Sequence, residues 1–383
     1  MVDIKIDSLA DRYKRTSAKW RGLPADILPL PVAEMDFHIA QPITAKLQEM
    51  IQASDLGYGG LIPEYAQSFA DYSAKHWNWS VDVDQFTIAT DVGVAGVETL
   101  RVLTNPGDKV VINSPVYHNF YNWIKEAGCQ TVDVPLVYVG DGVWDLDFDS
   151  LEKAFAAGAK VYLLCNPHNP VGTVFCQEHL EQIAALADKY GVKVISDEIH
   201  APLNYTSTPF KPYLAVNDVA RSHGVCVTSA SKAWNLAGLK CAHIVTQDPA
   251  MNDLVKTMPM SVPWRASILG SWASTVAYNE GQPWLDAVMA QLTLNRQWLA
   301  DNIAERLPRA VYHKPESTYL AWIDLNGYGI DDPAKLLMEK GRVAFNNGAD
   351  FGPDGKNFIR LNFATDIETL DEALNRMASV LED

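Results

Sequence analysis

The sequence predicts an α/β protein built on a large, mainly parallel β-sheet, and two observations support this. Short apolar segments rich in β-branched residues alternate along the chain with longer segments of helical periodicity. Several of the short segments are apolar at every position, which is typical of strands covered by helices on both faces. We therefore expect a parallel sheet between two helical layers.

Six segments are predicted strands of this sheet: residues 86–90, 109–113, 161–165, 192–197, 225–229 and 242–246. The segments between them have helical patterns. In residues 177–190 the apolar side chains that share one face are Leu180, Ile183, Ala184, Ala187 and Tyr190. This pattern predicts a helix that lies against the sheet.

The C-terminal third predicts a different, smaller α+β unit. A helical pattern at about 284–305 is followed by a strand at 319–325, a helix near 332–340, a strand at 358–363 and a helix from about Ile367. We expect two domains: a large one at residues 41–285, and a small one formed by residues 286–383 together with the N-terminal segment 1–40.

Composition excludes several functional classes. The net charge of −16 over 383 residues argues against nucleic-acid binding, which needs clustered Lys and Arg. No segment approaches the about 18 consecutive apolar residues of a spanning helix, and the N-terminus lacks a signal-peptide core, so we expect no membrane contact and a cytoplasmic location. The five cysteines form no Cys-x-x-Cys pair and the nine histidines show no ligand spacing, which favours reduced thiols and no metal site.

Polar residues at two predicted strand ends point to a catalytic site. Asp197 and Glu198 end one apolar strand, and Ser229, Ser231 and Lys232 follow another. The carboxyl ends of parallel strands meet at one edge of a sheet, where ligands bind. A lone lysine in such a loop is usually solvated, but the combination with an acid at a neighbouring strand end is less ordinary.

Pyridoxal 5′-phosphate (PLP) would need these residue types together. A desolvated lysine such as Lys232 is neutral often enough to attack the aldehyde. A buried carboxylate such as Asp197 keeps the pyridine nitrogen protonated, so that the ring accepts carbanion density. The hydroxyls of Ser229 and Ser231 and the start of a helix at 93–103 could hold the phosphate.

Three longer segments carry a family resemblance: Cys-Asn-Pro-His-Asn-Pro-Val-Gly (165–172), Ser-Asp-Glu-Ile-His (196–200), and Ser-x-Ser-Lys-x-x-x-x-x-Gly-x-Lys (229–240). Together they resemble the class I/II aminotransferase superfamily of PLP fold type I. Four others resemble the MalY/PatB-type cystathionine β-lyases: Val-Ala-Glu-Met-Asp-Phe (32–37), Gly-Tyr-Gly-Gly (57–60), Ser-Pro-Val-Tyr-x-x-Phe-Tyr (114–121) and Ile-Arg-Leu-Asn-Phe-Ala (359–364).

The resemblance implies an aspartate aminotransferase-like fold with a seven-stranded sheet, and it implies PLP as the cofactor. Lys232 would be the Schiff-base lysine and the acid–base that moves the substrate Cα proton. Asp197 would pair with the pyridine nitrogen and Asn169 would bond O3′ of the ring. Tyr117 would stack on the ring, with Tyr121 as the weaker alternative because it lies a turn further along the same helix.

The resemblance also implies how phosphate and substrate are held. The phosphate ligands would be Ser229, Ser231 and the backbone at Val92 and Gly93. Arg360 would bind the substrate α-carboxylate as a bidentate fork, with Asn169 and Tyr58 also at the substrate site. Tyr58 would reach the phosphate of the neighbouring subunit, since sites of this fold type form at a homodimer interface. Taken alone, Asp197 could cap a strand, Tyr117 could belong to the hydrophobic core and Tyr58 could cover a surface turn. His168 and His200 are interpreted as structural neighbours of the site.

Two positions depart from the family pattern. The phosphate loop has Asp91 where a glycine is usual, and Lys240 stands where aminotransferases have an arginine. A carboxylate beside the phosphate would repel it, so we hypothesise that Lys240, as a further cofactor-binding residue, offsets both negative charges. The start of the motif that includes segment 32–37 also reads Pro-Val-Ala-Glu, at residues 31–34, rather than the usual Trp-Val-Ala-Asp, which leaves the substrate contacts there open.

The reaction predicted from the resemblance is carbon–sulfur β-elimination from L-cystathionine or a related cysteine S-conjugate, giving a thiol, pyruvate and ammonia. An aminotransferase acting on aromatic or neutral amino acids is the alternative, because it would use the same lysine, acid, amide and arginine. A non-catalytic protein that keeps the fold for partner contacts is a third alternative. The intact set of residues disfavours it.

Overall fold

The structure is a computed structural model that describes residues 4–205 and 209–382. Its strands are β1 (Leu28–Pro29), β2 (Phe86–Ala89), β3 (Lys109–Ile112), β4 (Gln130–Asp133), β5 (Val137–Gly140), β6 (Val143–Asp145), β7 (Val161–Cys165), β8 (Lys193–Asp197), β9 (Gly224–Thr228), β10 (Ala242–Val245), β11 (Val311–Tyr312), β12 (Leu320–Asp324), β13 (Val343–Ala344), β14 (Asn346–Asn347) and β15 (Phe358–Asn362).

The α-helices are α1 (Leu9–Arg12), α2 (Ala18–Arg21), α3 (Gln41–Gln52), α4 (Pro63–Trp77), α5 (Val92–Leu103), α6 (Asn119–Glu126), α7 (Phe148–Ala156), α8 (Gln177–Tyr190), α9 (Asp218–His223), α10 (Pro249–Val255), α11 (Ser261–Trp264), α12 (Ile268–Glu280), α13 (Gln282–Arg306), α14 (Pro333–Glu339) and α15 (Ile367–Leu381). The helix predicted at 177–190 is α8, which ends at Gly191 in the left-handed conformation.

A seven-stranded sheet forms the centre of the molecule, in the order β2-β10-β9-β8-β7-β3-β4. Strands β9, β8, β7, β3 and β4 run parallel, whereas β10 is antiparallel to both β9 and β2. All six strands predicted for this sheet are present in it, so the fold class is confirmed. Every residue of β7, β9 and β10 is buried, as expected of strands covered on both faces.

The C-terminal part contains a second, antiparallel sheet in the order β11-β12-β15-β14. It is flanked by α13, α14 and α15. The N-terminal segment contributes β1, which pairs in parallel with β13. That pairing agrees with an N-terminal segment that packs on the C-terminal unit, while the domain boundary at residue 285 stays a prediction.

Two further properties concern membrane spans and cysteine pairing. In the described part of the chain, no helix is long and apolar enough to cross a membrane. The five cysteines are free, and three of them, Cys165, Cys226 and Cys241, are buried.

Candidate active site

A cavity of about 580 Å³ opens at the carboxyl edge of the large sheet, beyond β7 and β8. The predicted site residues that line it are Val92, Gly93, Tyr117, Asn169, Asp197, Ser231, Lys232, Lys240 and Arg360, and Asp91 lines it as well. These positions span most of the chain, and folding brings them to one place. We call the part around Lys232, Asp197, Asn169 and Arg360 the buried end, and the part around Asp91, Gly93 and Lys240 the open end.

Lys232 enters the cavity from the loop that follows β9. Its Nζ donates to the carbonyl oxygen of Ala33 at 2.9 Å, and the same oxygen accepts the hydroxyl of Tyr319 at 3.0 Å. Burial lowers the pKa of Lys232 to about 8, with Arg360 acting in the same direction and Asp197 opposing it. An appreciable fraction of the amine is therefore neutral near physiological pH, as a nucleophile or base requires.

Asp197 is the last residue of β8 and is only 5% exposed. Its carboxylate accepts one hydrogen bond, from the backbone N–H of Ile199 at 3.2 Å, and no ion pair to it occurs among the described residues. Burial raises the pKa of this carboxyl to about 7, and nearby Lys232 acts against that rise. A buried acid without a cationic contact is suited to a ligand that brings its own protonated nitrogen.

Arg360 projects from β15 and is 4% exposed. Its Nη1 donates to Asn169 Oδ1 at 2.9 Å, and its Nη2 donates to the Pro31 carbonyl at 3.1 Å and to Asn346 Oδ1 at 2.6 Å. The Nε has no partner in the described structure. Burial lowers the pKa of Arg360 to about 10, but the group remains a cation held only by neutral acceptors, ready for an anionic ligand.

The two tyrosines of segment 114–121 border different surfaces. Tyr117 lies in the cavity wall, and its hydroxyl accepts a hydrogen bond from Asn119 Nδ2 at 2.7 Å. Tyr121 instead donates to Asp133 at 2.9 Å and borders a neighbouring depression. Of the two, Tyr117 is the one positioned to contact a ring in the cavity.

The open end is built around the first turn of α5. Asp91 is the N-cap residue: its Oδ1 accepts from the N–H of Val94 at 2.8 Å, and its Oδ2 receives Lys240 Nζ at 3.0 Å. From the sequence, a carboxylate at this position is expected to repel the phosphate. In the structure its charge is already paired by Lys240 and used in capping, and the N–H groups of Val92 and Gly93 remain for a ligand.

Two predicted site residues are not brought to the cavity. Ser229 is buried and outside the lining, where its hydroxyl donates to the Cys241 carbonyl at 2.6 Å and accepts from the N–H of Ser231 at 3.0 Å. Its hydroxyl is therefore committed to the turn that carries Ser231, and a direct phosphate contact by Ser229 is not supported. Tyr58 is 88% exposed and lies away from the cavity of its own chain.

Several cavity residues were not anticipated. Those lining it include His118, Asn119, Trp123 and Asn346. His200, interpreted as a structural neighbour, also lines the cavity, and burial holds its pKa well below the usual range. The family resemblance of segment 32–37 pointed to the chain near Ala33. Lys232 bonds the backbone carbonyl oxygen of Ala33, and a backbone acceptor of this kind has no side-chain signal in a sequence.

The residues present fit PLP. The cavity joins an amine whose pKa is near 8, a buried acid without a cation and a buried arginine with a free Nε. These groups match an aldehyde, a pyridine nitrogen and a substrate carboxylate respectively. Within residues 4–205 and 209–382, no group of three or more His, Cys, Asp or Glu side chains could hold a metal ion.

Comparison with known proteins agrees with this geometry. The family model for aminotransferase class I and II matches residues 25–377. A cystathionine beta-lyase from Corynebacterium glutamicum is 36% identical over 99% of this chain and 100% of its own length, and cystathionine beta-lyase PatB from Bacillus subtilis is 30% identical over the same shares. The crystal structure of the PLP-bound C-S lyase from Staphylococcus hominis superposes with a TM-score of 0.93 at 27% identity, covering 100% of this chain and 99% of the other.

Proposed function

The chain belongs to the aminotransferase class I and II family, and within it we propose that the protein is a PLP-dependent carbon–sulfur β-lyase. Its substrate is L-cystathionine or a related cysteine S-conjugate, which is converted to a thiol, pyruvate and ammonia. The observation that carries this proposal is the cavity in which Lys232, with its pKa near 8, lies with Asp197 and Arg360. The lyase is favoured over an aminotransferase because full-length relatives at 30% and 36% identity are named cystathionine beta-lyase.

PLP supplies an electrophilic aldehyde and a ring that accepts electrons from the substrate Cα. Lys232 would hold the aldehyde carbon, Asp197 the ring nitrogen and Asn169 the ring hydroxyl. Tyr117 would cover one face of the ring. At the open end, Ser231 and the N–H groups of Val92 and Gly93 would hold the phosphate, where the helix dipole of α5 favours an anion.

Each catalytic task falls to a residue of the buried end. Arg360 binds the substrate carboxylate, because its guanidinium stays charged and is held only by neutral acceptors. Lys232 takes the proton from the substrate Cα, since its lowered pKa leaves a neutral amine available. Asp197 would keep its negative charge beside a protonated ring nitrogen, because that cation would lower the pKa of the acid from its value near 7. The Cβ–S bond then breaks, and the sulfur leaves with the bonding electrons and takes up a proton to become the thiol. Water hydrolyses the three-carbon remainder to pyruvate and ammonia.

The homodimer with shared active sites belongs to the proposal. Tyr58 is 88% exposed and Leu61 82% exposed, and neighbouring Trp264 and Met260 are 51% and 76% exposed. So much apolar surface in one region is typical of a subunit contact. Tyr58 would then reach the cavity of the partner subunit. The cytoplasmic location stays a prediction from the sequence.

One assay tests the reaction. Purified protein is incubated with L-cystathionine and no 2-oxo acid, and pyruvate and free thiol are measured. Steady release of both supports the lyase. Turnover that appears only after a 2-oxo acid is added would replace it with the aminotransferase. If the native protein has no visible-range absorbance and gains none on adding PLP, both assignments are wrong.

A further inference from the structure

Trp123 is a cavity residue to which neither the family pattern nor the predicted site gave a role. It lies on α6 and is 6% exposed. Four other indole nitrogens are buried without a hydrogen-bond partner: those of Trp20, Trp144, Trp234 and Trp322. Trp123, by contrast, lines the cavity. Its N–H makes no hydrogen bond to any described residue, so this donor is directed to a space that a ligand can fill.

The indole packs against α5 at two glycines, and Gly96 is the one that must be small for it. A Cβ on Gly96 would stand 2.6 Å from Cε3 of Trp123, so the six-membered ring rests directly on the backbone at Gly96. A Cβ on Gly93, one turn earlier, would have Nε1 of Trp123 at 3.4 Å. The indole therefore lies along the first turn of α5, with its N–H end next to Gly93 at the helix N-terminus.

The open end of the cavity offers neutral hydrogen-bond donors, and the charge of its lysine is already paired. The lysines and arginine that line the cavity are Lys232, Lys240 and Arg360. Lys232 and Arg360 contact the backbone at Ala33 and Pro31, and Lys240 is already paired with Asp91. A dianion at the open end must therefore be held largely by neutral N–H and O–H groups. An indole is a donor only, so it suits an anion and no cationic or donor ligand.

We propose that the indole N–H of Trp123 donates a hydrogen bond to the cofactor phosphate, beside the backbone N–H groups that begin α5. This inference rests on the proposed function, which supplies the phosphate. Gly96 makes room for the indole, because a Cβ there would collide with its six-membered ring. Trp123 is then a cofactor-binding residue that adds a neutral donor to the phosphate site.

The test compares PLP with pyridoxal, which lacks the phosphate. The apo forms of the wild type and of Trp123→Phe are titrated with each compound, and the dissociation constants are read from the visible absorbance. A hydrogen bond to a charged group predicts that Trp123→Phe raises the constant for PLP about 10-fold. The constant for pyridoxal changes less than about twofold, because the ring contacts are kept.

Trp144→Phe is the matched control, because its indole nitrogen is also unpartnered but lies outside the cavity. Neither constant changes in that variant. A second variant places benzothienylalanine at position 123, which keeps the shape of the indole and replaces only the N–H. It reproduces the loss seen in Trp123→Phe, and it carries the test should Trp123→Phe fold poorly.

Equal losses for PLP and pyridoxal would overturn the inference, since Trp123 would then act by packing. No loss for PLP in the benzothienylalanine variant would overturn it as well. Either result leaves the lyase proposal standing, provided that the wild type binds PLP. Failure of the wild type to bind either compound would instead remove the proposed function itself.

Discussion

At the buried end of the cavity, Asp197, Asn169 and Arg360 are 5%, 6% and 4% exposed, whereas at the open end the side chains of Asp91 and Lys240 keep 37% and 58% of their surface. Asp197 and Arg360 contact no oppositely charged side chain among the described residues, whereas Asp91 and Lys240 form an ion pair with each other. Charges interact more strongly away from water, and exposed pairs contribute little. The buried end is therefore where the chemistry is decided, while the open end chiefly accommodates the phosphate.

The largest effect is expected for Lys232→Ala. The variant loses both the amine that holds the cofactor and the base that takes the Cα proton, so kcat for pyruvate release falls by at least about 10⁴-fold. Stopped assays of pyruvate and absorbance spectra of the purified variant measure this. Lys153→Ala, an exposed lysine on α7, serves as the control and keeps full activity. A Lys232→Ala enzyme within tenfold of the wild type would mean that another residue is the base.

Asp197→Asn comes next. The amide has nearly the same shape but no charge with which to keep the ring nitrogen protonated, so we expect kcat to fall by roughly 10²–10³-fold. Loss of the charge that opposes the burial effect also lowers the pKa of Lys232 further. Steady-state kinetics check the first effect. If the variant retained wild-type kcat, Asp197 would be a structural strand-end acid and not a cofactor ligand.

Arg360→Lys isolates the fork geometry from the charge. A lysine keeps the cation but cannot bond the substrate carboxylate in a bidentate way, nor reach Asn169, Pro31 and Asn346 together. We expect kcat/KM for L-cystathionine to fall about 10²-fold, mainly through KM, with little change in PLP affinity. A variant that instead loses PLP and keeps KM would place Arg360 on the cofactor rather than on the substrate.

The sequence was most informative about the strands that are buried on both faces. The apolar segments of β7 to β10 could be recognised as strands, but the edge strand β4 could not, because Gln-Thr-Val-Asp is polar and half exposed. Hairpin β5–β6 was missed although β5 reads Val-Tyr-Val-Gly. This strand is largely solvent-exposed and lies outside the large sheet.

The site was predictable where a residue type is tied to one chemistry, as with Lys232 and Asp197. It was less so where the outcome depends on local contacts. Ser229 is turned away by its bond to the Cys241 carbonyl, and Trp123 is brought in by the packing of two helices. Neither contact has a signature in a single sequence. The ion pair of Lys240 with Asp91 occurs, as the charge-offset hypothesis requires, whereas contact between Lys240 and the phosphate stays a prediction.

The pH dependence of PLP uptake tests whether Lys232 at the buried end has a lowered pKa. Because the pKa of Lys232 is lowered to about 8, the neutral amine in the apo protein increases about tenfold per pH unit below that value and levels off above it. The rate at which apo protein takes up PLP, followed by stopped-flow absorbance, should follow this profile. Arg360→Gln removes a group that lowers this pKa, so its profile shifts to higher pH. An inflection near 10.5 in the wild type would contradict the burial of Lys232.

The smallest effect is expected at the open end, from Lys240→Ala. An exposed ion pair predicts a loss of PLP affinity of no more than about fivefold, and added salt should reduce the loss. If Lys240 acts by offsetting Asp91, then Asp91→Asn in the same chain restores the affinity, since asparagine still caps α5 without a charge. A Lys240→Ala variant with unchanged PLP affinity would reject the charge-offset hypothesis. A loss as large as that of Asp197→Asn would show instead that Lys240 binds the phosphate directly and that the open end is as decisive as the buried one.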